Sequence, residues 1–206
     1  GDIEYAALSS DEKYVVFTRL EAGKSVIYSG KRTGKSISGI QKLPTDVNDG
    51  SNNQTPYLHG SSLYFSSDRN GNYDLFVATL NMEDQNVEKL EELRRVNSDK
   101  DDISPYLDPE SKTFYFSSNG HLTFGGFDIQ ECTDYETKNG VHIPINPRNP
   151  GASFNSYHDE VQLSRDGENY VMLRNFRKGG TQIQILEPSE KQEQIYFEIT
   201  PKEMTP

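Results

Sequence analysis

A chain of 206 residues with a formal net charge of −11 has room for one domain with its own core or for a handful of small repeated units, and too little for two large domains. The acidic balance leaves no basic stripe to displace phosphate counterions, which argues against nucleic acid as a partner and against an anionic membrane surface. No run of about 18 apolar residues is present to span a bilayer, and residues 1–20 lack the charged-then-apolar order of a signal peptide, so a soluble chain without membrane insertion is expected.

Only 33% of residues are hydrophobic, but twelve tyrosines and ten phenylalanines are among them. That balance suits a folded β protein with much polar surface. The lone cysteine, Cys132, excludes an internal disulfide and a multi-cysteine zinc site, and it does not distinguish compartments.

In chain order the same phrase occurs four times, beginning at Tyr5, Thr55, Ser104 and Asp159. Each copy reads as a short strand carrying a leucine near its end, a polar turn, a strand with a hydrophobic pair, a second polar turn, and a third strand. The pairs are Val16-Phe17, Tyr64-Phe65, Tyr115-Phe116 and Met172-Leu173, spaced by 48, 51 and 57 residues. A fourth β-compatible segment trails three copies, at 36–43, 140–145 and 192–199. After the second copy, 84-DQNVEKLEELRR-95 places Val87, Leu90 and Leu93 at roughly helical spacing, so a short surface helix and an outer strand are equally compatible with it.

Period-two alternation, Gly/Asp/Asn/Ser turns and a repeat of about 40 to 50 residues predict an all-β fold, a β-propeller of four-stranded antiparallel blades. One propeller domain over 1–206 is expected, with blades near 3–45, 54–96, 102–146 and 157–200, closing a small ring or forming part of a larger one. A lone blade cannot bury both faces of its sheet, and stacking neighbours around an axis hides the Tyr, Phe, Leu and Ile rows. If the ring stays open, strands at 3–8 and 192–199 present exposed edges.

The phrases 97-NSDKDDISPYLDPESKTFYFSSNGH-121 and 125-GGFDI-129 resemble the WD40-like PD40 β-propeller repeats, also described as TolB-like. They are most like those of Bacteroidota cell-envelope proteins that carry an OmpA-type domain, including a type IX secretion component. Copies two and three hold S/T-P-Y-L, Y-F-S-S and G-x-x-D-[IL] in order; copy four has Gln182 where the aspartate is expected, and copy one has no aspartate before Val26-Ile27. The resemblance implies a periplasmic or surface-exposed binding or scaffolding module. No OmpA-like peptidoglycan-binding segment is present in the sequence, which weighs against cell-wall anchoring.

Candidate sites divide into turns and a loop face. Asp68, Asn70, Asn72 and Asp74 alternate like Ca²⁺ ligands, but Tyr73 stands where an EF-hand loop needs glycine and Thr79 where it needs glutamate. A hairpin turn is the simpler reading. Asn70 and Gly71 would take positive φ angles, Asp68 and Asp74 would bond backbone N–H groups, and Gly125, Gly126 and Asp128 would be the counterparts in copy three. No cofactor is expected. The stretch 29-SGKRTGKS-36 ends like a phosphate-binding loop but leads into no helix.

His59, His121, His142 and His158 lack the paired spacing of zinc ligands, and Glu131 and Asp134 beside Cys132 would raise its pKa. Asp102, Asp128, Asp159 and Glu160 are the carboxylates that could serve glycoside cleavage, the enzymatic alternative; a regulatory propeller of a hydrolase is another. The connectors 46–54, 97–102 and 146–159 occupy equivalent places and should emerge on one face. There Asn52, Asn53, Asp101, Asp102, Phe154, Tyr157, His158 and Asp159 are the candidates for contacting a protein or glycan partner.

Overall fold

The computed structural model describes residues 2–138 and 141–187, and among these it is all β, with no helix. The first sheet is built from β1 (Ile3–Leu8), β2 (Tyr14–Glu21), β3 (Lys24–Thr33) and β4 (Ser36–Lys42), and the second from β5 (Asn53–His59), β6 (Ser62–Ser67), β7 (Asp74–Asn81) and β8 (Asn86–Glu92). Each is antiparallel with its strands in chain order.

The third unit pairs β9 (Asp102–Leu107), β10 (Phe114–Ser118) and β11 (Asp128–Cys132). After Thr133 it continues into a hairpin of β12 (Asp134–Lys138) and β13 (Val141–Ile145). The fourth sheet joins β14 (Asp159–Asp166), β15 (Asn169–Asn175) and β16 (Thr181–Leu186). The segment expected as its outer strand, 192–199, lies outside the described residues.

The hydrophobic pairs explain how the sheets stack. Neighbouring residues on a strand point to opposite faces, so each pair in a middle sheet supplies two cores. Phe65 packs with Val16 and Ile27 between the first and second sheets, while Tyr64 packs with Phe114 and Phe116 between the second and third. Tyr115 in turn joins Met172 and Leu163 between the third and fourth. Full burial of side chains such as Phe65 and Phe116 is worth about 1.5–3 kcal/mol each.

The segment 84–95 holds strand β8. Its helix-like spacing arises from a register shift opposite Thr79 and Leu80, where Lys89 and Val87 face consecutive partners and Glu88 is extra. That bulge returns Val87 and Leu90 to the same core-packed face although they are three apart.

Inner strands β1, β5, β9 and β14 follow one another, β1 against β5, β5 against β9 and β9 against β14. Each contains a register shift near its start. In β5 and β9 the shift falls at Thr55-Pro56 and Ser104-Pro105, where Thr55 and Ser104 hold φ of 48° and 55°. Proline is tolerated because these strands are paired on one side only. The Thr55 hydroxyl accepts the Ser104 N–H at 3.2 Å and so ties the two bulges together.

Candidate functional site

Two features are candidates: the polar connectors and the space enclosed by the inner strands. In the connectors an asparagine recurs as a clip. Asn48 accepts the Ile27 N–H at 2.9 Å and donates to its carbonyl at 2.8 Å; Asn97 does the same to Leu75, and Asn155 to Ile129. Four residues later a second acceptor takes the N–H two positions earlier in the chain: Asn52 from Ser25, Asp101 from Tyr73 and Asp159 from Phe127. Each connector thus imitates an edge strand and fastens one sheet to the next.

The residue after the second acceptor is fully buried in all three: Asn53, Asp102 and Glu160. Asn53 accepts from Arg69 at 3.1 Å, Asp102 from the Ser98 N–H at 2.6 Å, and Glu160 from Arg174 and the Ser156 hydroxyl, both at 2.6 Å. Thus five of the eight loop-face candidates, Asn52, Asn53, Asp101, Asp102 and Asp159, hold the protein together through their side chains. Of the others, Phe154 packs on Tyr115 and Tyr170. Tyr157 is exposed and lies against His158, whose buried Nδ1 has no partner.

The turn residues behave in mixed fashion. Asp68 accepts the Asn52 N–H and amide, both at 2.7 Å. Gly71 has φ of 113° and donates to the Asp68 carbonyl, whereas Asn70 is not in the left-handed region. Asp74 bonds no backbone N–H; it accepts the side-chain amides of Asn70 and Asn72, which turn their nitrogens toward it. Asp128 accepts the Phe124 and Gly125 N–H groups and the Asn149 amide. Gly125 and Gly126 are required by close approach: a Cβ on either would collide with the His158 carbonyl or the Asp159 carboxylate.

Asp102 is imperfectly satisfied. Its Oδ1 is buried without a hydrogen-bond partner, 3.9 Å from His121 Nε2, which itself bonds the Val96 carbonyl. Burial raises its carboxyl above the usual range, more than the nearby Ser118 hydroxyl and the Ser98 bonds lower it. A raised folded pKa means that ionisation costs stability above it and that the cost disappears as pH falls toward the unfolded value. Asp102→Asn, imitating Asn53 at the equivalent position, is expected to stabilise by about 1 kcal/mol at pH 7. In urea unfolding the gain should shrink as pH approaches about 4.

The inner strands enclose a cavity of about 410 Å³ lined by the equivalent stretches 4–7, 55–57, 104–106 and 162–164. Among the described residues Glu4 is its one charged residue, and its carboxylate accepts the Ser25 hydroxyl at 2.6 Å. Burial raises the phenols of Tyr5, Tyr57 and Tyr106, the last to about 12, so all three stay neutral. Tyr57 donates to the Leu107 carbonyl at 2.6 Å and stands edge-on to Tyr106. Because β1, β5, β9 and β14 are paired on one side only, and Pro56 and Pro105 lack N–H groups, the wall is rich in carbonyl and hydroxyl acceptors.

The fold can be placed among solved ones. TolB from Acinetobacter baumannii superimposes with a TM-score of 0.55 at 18% identity, covering 89% of this chain and 40% of that one. The chain has a TolB-like fold. It is likewise similar to a puromycin-hydrolyzing peptidase of Mycobacterium tuberculosis, with a TM-score of 0.55 at 11% identity, over 91% of this chain and 27% of that one. The chain therefore spans well under half the length of either protein. No protein-family model and no curated protein matches it.

Within the TolB-like fold, the four carboxylates singled out for glycoside cleavage stand at the starts of β9, β11 and β14, and each accepts internal hydrogen bonds. Cys132 is buried, and burial, then Glu131 and Asp134, push its thiol up to about 12. Among the described residues, no three of His, Cys, Asp or Glu stand together as metal ligands, and no helix is long and apolar enough to cross a membrane. The phosphate-loop-like stretch forms the hairpin between β3 and β4, with Gly34 at φ 59°. The sequence reading missed Asn48, Asn97 and Asn155, although their spacing of four from Asn52, Asp101 and Asp159 is visible in the chain. It also missed the cavity, whose T-P-Y and S-P-Y signature had been assigned to strands alone.

Proposed function

We propose that the chain is a non-catalytic binding module of the bacterial cell envelope, its four sheets consecutive blades of a β-propeller. It would recognise a protein or glycan at the connector face and in the cavity enclosed by the inner strands. The observation that carries this reading is the cavity itself, contributed by matching stretches of all four inner strands and walled by acceptors, tyrosines and small hydroxyls. A wall of this kind suits a ligand rich in donors, such as sugar hydroxyls or peptide N–H groups. It offers one carboxylate, Glu4, and no partner for an acid–base pair. The TolB-like fold supports the propeller reading and an envelope location.

A glycan array and an envelope-extract pull-down, each run with the native chain and with Gln162→Arg, test it. Gln162 is exposed at the cavity wall, so the substitution should leave the fold intact and cost at least about tenfold in retained ligand. Hydrolysis of a polysaccharide with no retained partner would favour the glycosidase instead. The similar fold within the peptidase supports a second reading, a propeller that screens substrates for a hydrolase domain. A hydrolase domain encoded in the same gene would favour that one.

A further inference from the structure

A second cavity, of about 440 Å³, lies between the second and third sheets at the end where the β5–β6 and β9–β10 turns meet, away from the connectors. Leu107 and Val141 form apolar lining, and Tyr64, buried against the core, and Tyr135 add aromatic rings. Its charged and titratable lining is otherwise basic: Lys112 from the β9–β10 turn, His59 from the end of β5 and His142 from β13. Among the described residues no carboxylate lines it, in a chain whose formal net charge is −11.

Lys112 is exposed, and the turn that carries it is fixed through its backbone. Lys112 sits at φ 56°, donates its N–H to the Asp108 carbonyl at 3.0 Å and accepts the Tyr135 hydroxyl on its own carbonyl at 2.8 Å. Among the described residues its ammonium is in no ion pair. Lys112 is the charged neighbour of His59 among the described residues, while His142 Nδ1 is 3.5 Å from the Thr137 hydroxyl. Ser61, Ser62 and Thr79 add hydroxyl donors at the rim.

We infer that this cleft binds a carboxylate carried on an apolar body. The body would rest on Leu107, Val141 and the two tyrosine rings, and the carboxylate would meet Lys112 and His59. The chemistry is the same whether the carboxylate belongs to a free organic acid or to the C-terminus of a peptide. The site is independent of the cavity between the inner strands, so either can fail without the other.

Burial, and then repulsion from Lys112, lowers the His59 pKa in the empty cleft. The groups facing it are Lys112 and His142, with the phenols of Tyr64 and Tyr135. A bound carboxylate reverses the local charge, raises His59 and takes up a proton. Binding should therefore be tightest below the free His59 pKa and weaken as pH rises through the bound value.

The full chain is titrated with 3-phenylpropionate, its neutral amide and N-acetyl-alanyl-phenylalanine, following the imidazole signals of His59 and His142 by NMR between pH 5.5 and 8. The inference expects the acids to shift both histidines, the neutral amide to bind at least about tenfold more weakly, and affinity to fall with rising pH. Lys112→Asn, which tolerates the left-handed turn, should lose at least about tenfold for the acids. Tighter binding of the dipeptide points to a chain terminus and tighter binding of phenylpropionate to a free acid, and both support the site. Equal binding of acid and amide, or no response from either histidine at millimolar ligand, overturns it. The amide comparison needs no variant and stands even if Lys112→Asn fails to fold.

Discussion

Glu160→Ala is expected to cost about 3–5 kcal/mol of folding stability, the range for stripping one partner from a buried ion pair. The Glu160 side chain is fully buried and satisfies three donors: Arg174 Nε, the Ser156 hydroxyl and, at 3.1 Å, the Ser156 N–H. Removing it leaves the Arg174 guanidinium, itself largely buried, facing an apolar gap, and frees the connector that Ser156 belongs to. Glu160→Gln keeps the shape and the acceptor that Arg174 and the Ser156 hydroxyl share, losing the charge and the acceptor of the Ser156 N–H, so it should cost less than the alanine variant. Urea unfolding at pH 7, with the slope unchanged, checks both; a loss below about 1 kcal/mol for the alanine variant would show that the pair contributes little.

Asn155→Ala should follow, at about 2–4 kcal/mol. Both the N–H and the carbonyl of Ile129 depend on this side chain, and a buried backbone group left unpaired costs about 1–3 kcal/mol. The amide also bonds Asn149 at 2.9 Å, which steadies the 146–159 connector. Asn97→Ala should be milder because the Leu75 carbonyl retains a second donor, the Leu93 N–H at 2.9 Å. The ranking of the two alanine variants in parallel unfolding curves separates a clip from a merely buried polar residue. Equal losses would contradict the backbone accounting.

The strands were readable because period-two alternation, a tight polar turn and an aromatic pair are all local. Tyr64-Phe65 and Tyr115-Phe116 announce a strand buried on both faces, and Asn70-Gly71 announces the corner that follows, although only Gly71 takes the positive φ. The strand at 86–92 was obscured by a single extra residue, Glu88, which converts alternate positions into a three-residue spacing. The bonds made by the connectors were hidden for a different reason. Asn52, Asp101 and Asp159 look like solvent-facing loop residues in a one-dimensional reading, and their partners Ser25, Tyr73 and Phe127 lie 27 to 32 positions away. The cavity between the inner strands could not be read at all, because it exists only when stretches some fifty residues apart converge.

Splitting each aromatic pair between two neighbours makes the second and third sheets unequal to the first and fourth. Their side chains answer to a fit on the left and a fit on the right at once, so a change of size at Tyr64 or Tyr115 has nowhere to be absorbed. Phe17, by contrast, lies against Tyr28 of its own sheet, and Ile183 and Ile185 face outward. The fullest versions of the repeated phrase accordingly stand in the second and third sheets, where each aromatic pair serves two cores at once.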